Sequence, residues 1–390
     1  MTSWHILTGE YPPQPGGVSD YTRIVANGLA SAGDSVVVWA PPLLLNGAAQ
    51  GTHASKTTDT ITGNPSEPGI EVRRLLDRFG ARSLRLLSEA LNHSSQPHRL
   101  LVQYVPHAFG WKAANVPFCL WLRSRRRDSV WVMFHEVSYP FDRRASLTLN
   151  ALAAVNRVMA SLVGGAAERA FVSIPAWRAG VGAVTPAGTT VTWLPVPSAI
   201  PVVDDPAAIA ATRGRYAHGH QLVGHFGTYG ALIKPLLDGC VSRLIDASDC
   251  RVLLLGQGSD AACQEMTAGD PRVADRVYAT GVLPAAELSR HISACDVMLQ
   301  PYPDGISSRR TSAMVALAHG VPMVTTAGAL TEPIWQGSAV LVPAGDMDAL
   351  FVATVSLLAD PARRTAIARR AAAMYDEQFD LRHTIAALRS

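Results

Sequence analysis

Eleven short apolar runs punctuate the chain, and between them lie longer stretches in which apolar residues recur at helical spacing. In the first half the runs are Trp4–Thr8, Val36–Trp39, Leu100–Tyr104, Val130–Phe134 and Ala170–Ser173. In the second half they are Leu222–Phe226, Arg251–Leu255, Val277–Thr280, Val297–Gln300, Pro322–Thr326 and Ala339–Val342. Runs of this length, rich in Val, Ile and Leu and separated by helix-length segments, predict parallel strands joined by crossover helices, an α/β fold. With 390 residues the chain exceeds what one hydrophobic core usually organises, so the pattern predicts two doubly wound domains in tandem. The expected boundaries are 1–198 for the first domain, 199–218 for a linker, 219–372 for the second and 373–390 for a terminal helix. The proline-rich stretch Pro195 to Pro206 marks the linker, and the polar, Pro/Gly-punctuated residues Asn46 to Gly69 read as a flexible loop.

Composition narrows the function classes. Hydrophobic residues make up 48% and charged residues 17%, enough for two cores, yet no uninterrupted run has the ~18 apolar residues of a spanning helix. Cys119, Cys240, Cys250, Cys263 and Cys295 are scattered, odd in number and without a C-x-x-C pair, so neither a disulfide framework nor a zinc site is expected. An acid at Glu10 and the absence of an early basic segment argue against a signal peptide, and the expected location is cytoplasmic. Charge is uneven: 18 basic and 12 acidic residues up to Ser198 give +6, and 16 against 19 beyond it give −3. No dense basic stripe with interleaved aromatics suggests nucleic acid. The run Phe118 to Arg127 sets apolar residues beside four arginines. That arrangement suits a helix carboxyl end, whose dipole favours cations, better than peripheral contact with an anionic membrane.

In open parallel sheets, ligands gather at the carboxyl ends of the strands. After the first run, Gly16 and Gly17 let backbone approach a ligand, with Ser19 placed to cap the next helix. Gln103 to Gly110 places Tyr104 and His107 where they could line a second substrate, and Phe134 is followed by His135 and Glu136. In the second half a glycine loop, Gly227-Thr228-Tyr229-Gly230, precedes Lys234, one of three lysines in the chain. The stretch Gln300 to Thr326 reads as an anion-binding device: Ser307 and Ser308 with Arg309 and Arg310 open an alanine-rich helix whose first N–H groups suit phosphate. No His/Cys ligand set is apparent, and no metal is expected.

Taken in order, Glu10-Tyr-Pro-Pro, Gly16-Gly17-Val-Ser, Phe134-His-Glu136, the Gly227 loop with Lys234, Leu253-Leu-Leu-Gly-Gln-Gly258, Thr280-Gly-Val-Leu-Pro284 and Ala316-Leu-Ala-His-Gly-Val-Pro322 resemble the GT-B glycosyltransferases, most closely the retaining glycosyltransferase family 4. The resemblance covers nearly the whole chain. It implies two Rossmann-like domains facing a central cleft, with a nucleotide-sugar donor mainly on the second and an acceptor mainly against the first. It implies transfer with retention and no cofactor beyond the donor itself. Gly16 and Gly17 would face the donor phosphates or sugar, Lys234 and Thr228 would lie by the diphosphate, and Gly281, Val282 and Leu283 would contact the base. His135 would sit near the reacting sugar, and Tyr104, His107 and Glu136 would fall on the acceptor side.

Two departures stand out against that resemblance. The family's glutamate pair, eight residues apart, falls on Ser307 and Val315 in one register, or on Asp304 and Ser312 in the other. Asp304 is thus the one acid there that could serve the sugar. Thr228 stands where an arginine often follows the glycine, and Arg309 with Arg310 would replace the missing charge. The competing class is a GT-B protein that binds a nucleotide or partner without turnover.

Overall fold

The structure, a computed structural model, describes residues 1–43, 69–93 and 97–390. Of the loop expected over Asn46 to Gly69, all but Gly69 lies outside the described residues. The chain forms two compact units, residues 1–195 with 384–390, and residues 196–383.

The first unit is built on seven parallel strands: β1 (Ser3–Thr8), β2 (Ser35–Ala40), β3 (Ile70–Arg74), β4 (His98–Tyr104), β5 (Ser129–Phe134), β6 (Arg169–Val172) and β7 (Thr190–Trp193). Their order is β3-β2-β1-β4-β5-β6-β7. In register, Leu7 of β1 lies between Trp39 of β2 and Val102 of β4. The central strands are buried residue after residue, as expected where helices cover both faces of a parallel sheet. The helices are α1 (Gly17–Ser31), α2 (Ala81–Asn92), α3 (Val116–Ser124), α4 (Leu147–Gly164) and α5 (Arg178–Gly182). Two of the strands, β3 and β7, escape the reading of apolar runs. Both are sheet edges, and Glu71, Arg73 and Arg74 are tolerated in β3 because one side meets solvent.

The second unit has six parallel strands: β8 (Leu222–Phe226), β9 (Arg251–Leu255), β10 (Val277–Ala279), β11 (Val297–Gln300), β12 (Met323–Ala327) and β13 (Val340–Pro343), in the order β10-β9-β8-β11-β12-β13. Its helices are α6 (Pro206–Ala217), α7 (Lys234–Ala247), α8 (Ser259–Gly269), α9 (Ala285–Ser293), α10 (Thr311–Ala318), α11 (Met347–Ala359) and α12 (Pro361–Met374). A single-turn wide helix at Tyr375–Phe379 leads to α13 (Leu381–Arg389), whose residues from 384 onward belong to the first unit. There Arg389 pairs with the buried Asp34 at 3.1 Å, and Arg99 Nη1 donates to the Leu388 carbonyl at 3.2 Å. Residues 206–217, expected within the linker, form α6 instead. Asp205 caps its first turn through Ala208 N, and Arg213 ties it to Asp296 at 2.8 Å. All five cysteines are free thiols, and all but Cys263 are buried.

Candidate functional site

In the second sheet the chain winds outward through β8, β9 and β10, then returns to lay β11, β12 and β13 on the other side of β8. The switch point lies between β8 and β11, and Gln300 Nε2 at the end of β11 bridges it, donating to the Phe226 carbonyl at 3.0 Å. The Gly227 loop leaves one side of this point and residues 301–310 leave the other. They remain close: a Cβ on Gly227 would stand 3.9 Å from Ser312 Oγ in the first turn of α10.

The 301–310 loop is held by backbone more than by its serines. Tyr302 N donates to Thr326 Oγ1 at 2.9 Å, and Ile306 N donates to the Thr326 carbonyl at 2.7 Å. Gly305 adopts φ +85°, and a Cβ there would stand 2.2 Å from Gly328 N, so only glycine permits this close approach. The helix starts later than the sequence pattern suggests. Arg310 is the N-cap residue of α10, without a side-chain cap, and Ser307 and Ser308 lie buried ahead of it. Ser308 N donates to Glu332 Oε1 at 3.0 Å, Ser308 Oγ to the same oxygen at 2.5 Å, and Trp335 Nε1 to Oε2 at 2.8 Å. The reading of Ser307 and Ser308 as phosphate-facing caps is therefore corrected: the buried carboxylate of Glu332 already takes the donors of Ser308, and Ser307 is only 1% exposed.

The two arginines converge as expected, but on an acid. Arg309 Nη2 donates to Asp304 Oδ2 at 2.8 Å, Arg310 Nη2 pairs with Asp304 Oδ1, and the Arg310 guanidinium lies 4.9 Å from the Tyr302 ring centroid. Asp304 thus presents its two oxygens to two planar forks, the arrangement that a phosphate would also satisfy. Neither glutamate register yields an acid pair, for Ser307 and Val315 are both buried and Ser312 Oγ hydrogen bonds to the Tyr302 hydroxyl at 2.7 Å.

Lys234 opens α7, but its ammonium is neutralised locally by Asp238 at 2.5 Å and Glu265 at 3.2 Å, and the Asp238 hydrogen bond raises its pKa. The reading of Lys234 as an uncommitted cation at the glycine loop is corrected on that ground. Thr228 is exposed beside Gly227. At the next strand end, Gly281 N donates to Ser259 Oγ at 2.9 Å and its carbonyl accepts from Gly256 N at 3.2 Å. Val282 is exposed there and Leu283 half-buried, an open edge beside the loop at Gly256.

The first sheet has its switch point between β1 and β4. Beyond β1, Glu10 Oε1 accepts from Val18 N at 3.1 Å and Ser19 N at 3.0 Å, so an acid of the chain itself occupies the amino end of α1. Gly16 is the N-cap residue of α1 and Gly17 its first residue, and a Cβ on Gly16 would stand 2.4 Å from that carboxylate oxygen. The reading that this glycine pair makes room for donor phosphates is corrected: at Gly16 it makes room for Glu10. Ser19 is not the cap either, as its hydroxyl donates to the Gln14 carbonyl at 2.7 Å.

His135 follows β5 and is 7% exposed; its Nε2 lies 2.8 Å from Gln103 Oε1, and its ring meets Tyr21 edge-on at 4.7 Å. Burial lowers its pKa to about 3, so the imidazole is neutral at neutral pH. Glu136 lies 3.7 Å from His107 Nδ1 on the exposed side of the same strand ends. Tyr104 is corrected outright. It is fully buried against Phe109 and Phe134, so it packs the core and lines no ligand surface. Three residues that matter here are absent from the sequence reading of the site: Glu332, Gln103 and Tyr302. Only Gln103 carries a local sign, a lone amide inside an apolar strand.

The fold, two doubly wound parallel sheets with loops gathered at the strand carboxyl ends, is the GT-B fold. Within it, residues 223–360 match the family described as Glycosyl transferases group 1. Among solved structures the chain is similar to a sucrose-phosphate synthase from Thermosynechococcus elongatus, with a TM-score of 0.74 at 16% identity over 100% of this chain and 97% of that one. Anabaena HepE in complex with UDP-glucose gives 0.65 at 16% identity, covering 99% and 98%. WaaG, a glycosyltransferase involved in lipopolysaccharide biosynthesis, gives 0.60 at 13% identity, covering 97% and 96%. No curated protein sequence matches the chain.

Proposed function

We propose that the protein is a glycosyltransferase that takes a sugar from a nucleoside-diphosphate donor held by the second unit. The observation that carries the proposal is the convergence of Arg309 and Arg310 on one carboxylate beside the β8–β11 switch point, inside the segment that matches the group 1 family. Diphosphate oxygens replace the carboxylate of Asp304 between the two guanidinium groups. The open edge at Gly281, Val282 and Leu283 takes the base. That structurally similar HepE was solved with UDP and UDP-glucose supports a donor of this chemical class.

Transfer is metal-independent and proceeds with retention by front-face attack. The bond between the anomeric carbon and the diphosphate oxygen breaks, the acceptor oxygen bonds to the same face, and the acceptor proton passes to the departing phosphate. Arginine charge on the leaving group supplies the main stabilisation. His135, neutral and held by Gln103, orients sugar hydroxyls and moves no proton. The acceptor falls to the loops after β4 and β5 of the first unit, where His107 stands exposed and Glu136 half-buried. The rival reading, nucleotide binding without turnover, draws on the absence of the family's glutamate pair, at whose positions Ser307 and Val315 stand.

Titration calorimetry with UDP, GDP and ADP tests the donor site. Replacing Arg309 and Arg310 by Ala should weaken the best-bound diphosphate about tenfold or more, whereas Asp304→Asn should tighten it by freeing the arginines. Affinity unchanged in both variants would reject the site.

A further inference from the structure

The helix α4 is the one described helix long and apolar enough to cross a membrane by length and composition, yet it is a surface helix of the first unit. Its inner face, with Ala153, Asn156, Met159, Ala160 and Val163, is buried. Its outer face, Leu147, Ala151, Ala154, Val158 and Ser161 at helical spacing, is exposed and carries no charge. At its amino end the exposure is greatest: Leu147 is 89% exposed and Leu149 55%.

The neighbouring loops add to this end. Asn156 Nδ2 donates to the Ala113 carbonyl at 2.6 Å, and the next residue, Arg157, donates to the Tyr139 carbonyl at 3.1 Å and stacks on Phe141 at 3.8 Å. Consecutive residues of α4 therefore pin both the turn that displays Trp111 and the loop that displays Phe141, which are 57% and 56% exposed. Lys112, Arg143 and Arg144 are exposed among them. Asp142, the acid next to Phe141, spends a carboxylate oxygen on Arg144 N at 2.8 Å, and Asn150 closes the loop by exchanging hydrogen bonds with the Asp142 backbone. The apolar groups are thus displayed by a braced segment. The arginine run at 123–127 is less suited to the role: Phe118, Cys119 and Leu122 beside it are buried, and Arg125 is engaged by Asp128 and Asn92.

We infer that the rim formed by Trp111, Phe141, Leu147 and Leu149, with Arg143 and Arg144 among them, docks the protein on an anionic phospholipid bilayer. Large apolar and aromatic side chains interspersed with cations match the boundary between headgroups and acyl chains, where the apolar groups insert and the cations meet lipid phosphates. The first half of the chain, at +6, adds long-range attraction. A second copy of the chain on the same patch would set Arg143 and Arg144 against their own like charges. This inference goes beyond the donor reading and does not depend on it.

Co-sedimentation of the full chain with vesicles tests it, comparing phosphatidylcholine alone with phosphatidylcholine mixed with phosphatidylglycerol. The protein should pellet with the anionic vesicles and be released by high salt. Leu147→Gln with Leu149→Gln should lower anionic-vesicle binding about tenfold, and Arg143→Ser with Arg144→Ser should do the same by removing two cations. Far-UV circular dichroism and thermal midpoints confirm that each variant is folded. Wild-type protein left in the supernatant with anionic vesicles, or variants that bind as wild type, would overturn the assignment. So would a concentration-dependent dimer abolished by the leucine changes, which would give the patch to a second copy.

Discussion

Glu332 and Asp304 divide the loop after β11 between them, one buried and structural, the other exposed and exchangeable. Glu332 accepts three hydrogen bonds, from Ser308 N, Ser308 Oγ and Trp335 Nε1, and its removal strands these donors in the interior. Glu332→Ala should cost about 2–3 kcal/mol of stability in urea unfolding and weaken nucleotide binding with it; a loss under about 0.5 kcal/mol would show the network to be idle. Three buried imidazoles set the acid limit of the fold. Burial lowers the pKa of His5 to about 4, of His135 to about 3 and of His225 to about 4. The unfolded chain binds these protons near pH 6.5 and the folded chain only well below it. Stability is therefore full above about pH 6.5 and falls as pH drops toward 4, by roughly 1–2 kcal/mol per histidine at about pH 5. Urea midpoints at neutral pH and about pH 5 measure this, and equal midpoints would contradict it. At this scale the sequence was only partly legible. The convergence of Arg309 and Arg310 follows from their place in the segment, but Ser308 was misread because its partner lies 24 residues away. The Lys234–Asp238 pair, at i and i+4 on one helix, was available to pattern reasoning; the contact to Glu265 on another helix was not.

Among the elements, the loop between β4 and α3 is the most tightly specified. Gly110, Trp111, Lys112 and Ala113 run with φ of 85°, 54°, 52° and 66°, and each non-glycine residue there costs about 1–2 kcal/mol. Asn115, fully buried, offsets that strain. Its Nδ2 reaches the carbonyls of Phe109 at 2.8 Å and Phe79 at 3.2 Å, and its Oδ1 caps α3 by accepting from Phe118 N at 3.0 Å. Asn115→Ala should destabilise the protein by about 2–3 kcal/mol, read from the denaturant midpoint, and Asn115→Asp should cost at least as much, because a buried carboxylate oxygen would face the carbonyls of Phe79 and Phe109. A loss under about 0.5 kcal/mol in Asn115→Ala would show that these bonds contribute nothing. Element types were widely legible: all eleven apolar runs coincide with strands, because buried parallel strands need continuous apolar residues. Helix starts were not. Those of α1 and α10 depend on Glu10 and on the backbone turn at Ser307, neither of which local propensity reports.

Across the whole molecule, the same winding occurs twice, and in each sheet the notable side chains gather where the strand order reverses. In the second unit that point holds the arginine pair; in the first it holds His135, Gln103 and the Glu10-capped start of α1. The repetition explains why the architecture could be read from alternating apolar runs alone, while the extent of each unit required the contacts of Arg389 and Arg99 with distant residues. Sugar transfer from a nucleotide donor must release nucleoside diphosphate, which can be measured over a panel of nucleotide sugars that includes UDP-glucose. Wild-type protein should release diphosphate from at least one donor, at a rate cut by about 100-fold or more in the Arg309→Ala, Arg310→Ala double variant. No release from any donor, with or without added saccharide and lipid acceptors, would contradict sugar transfer.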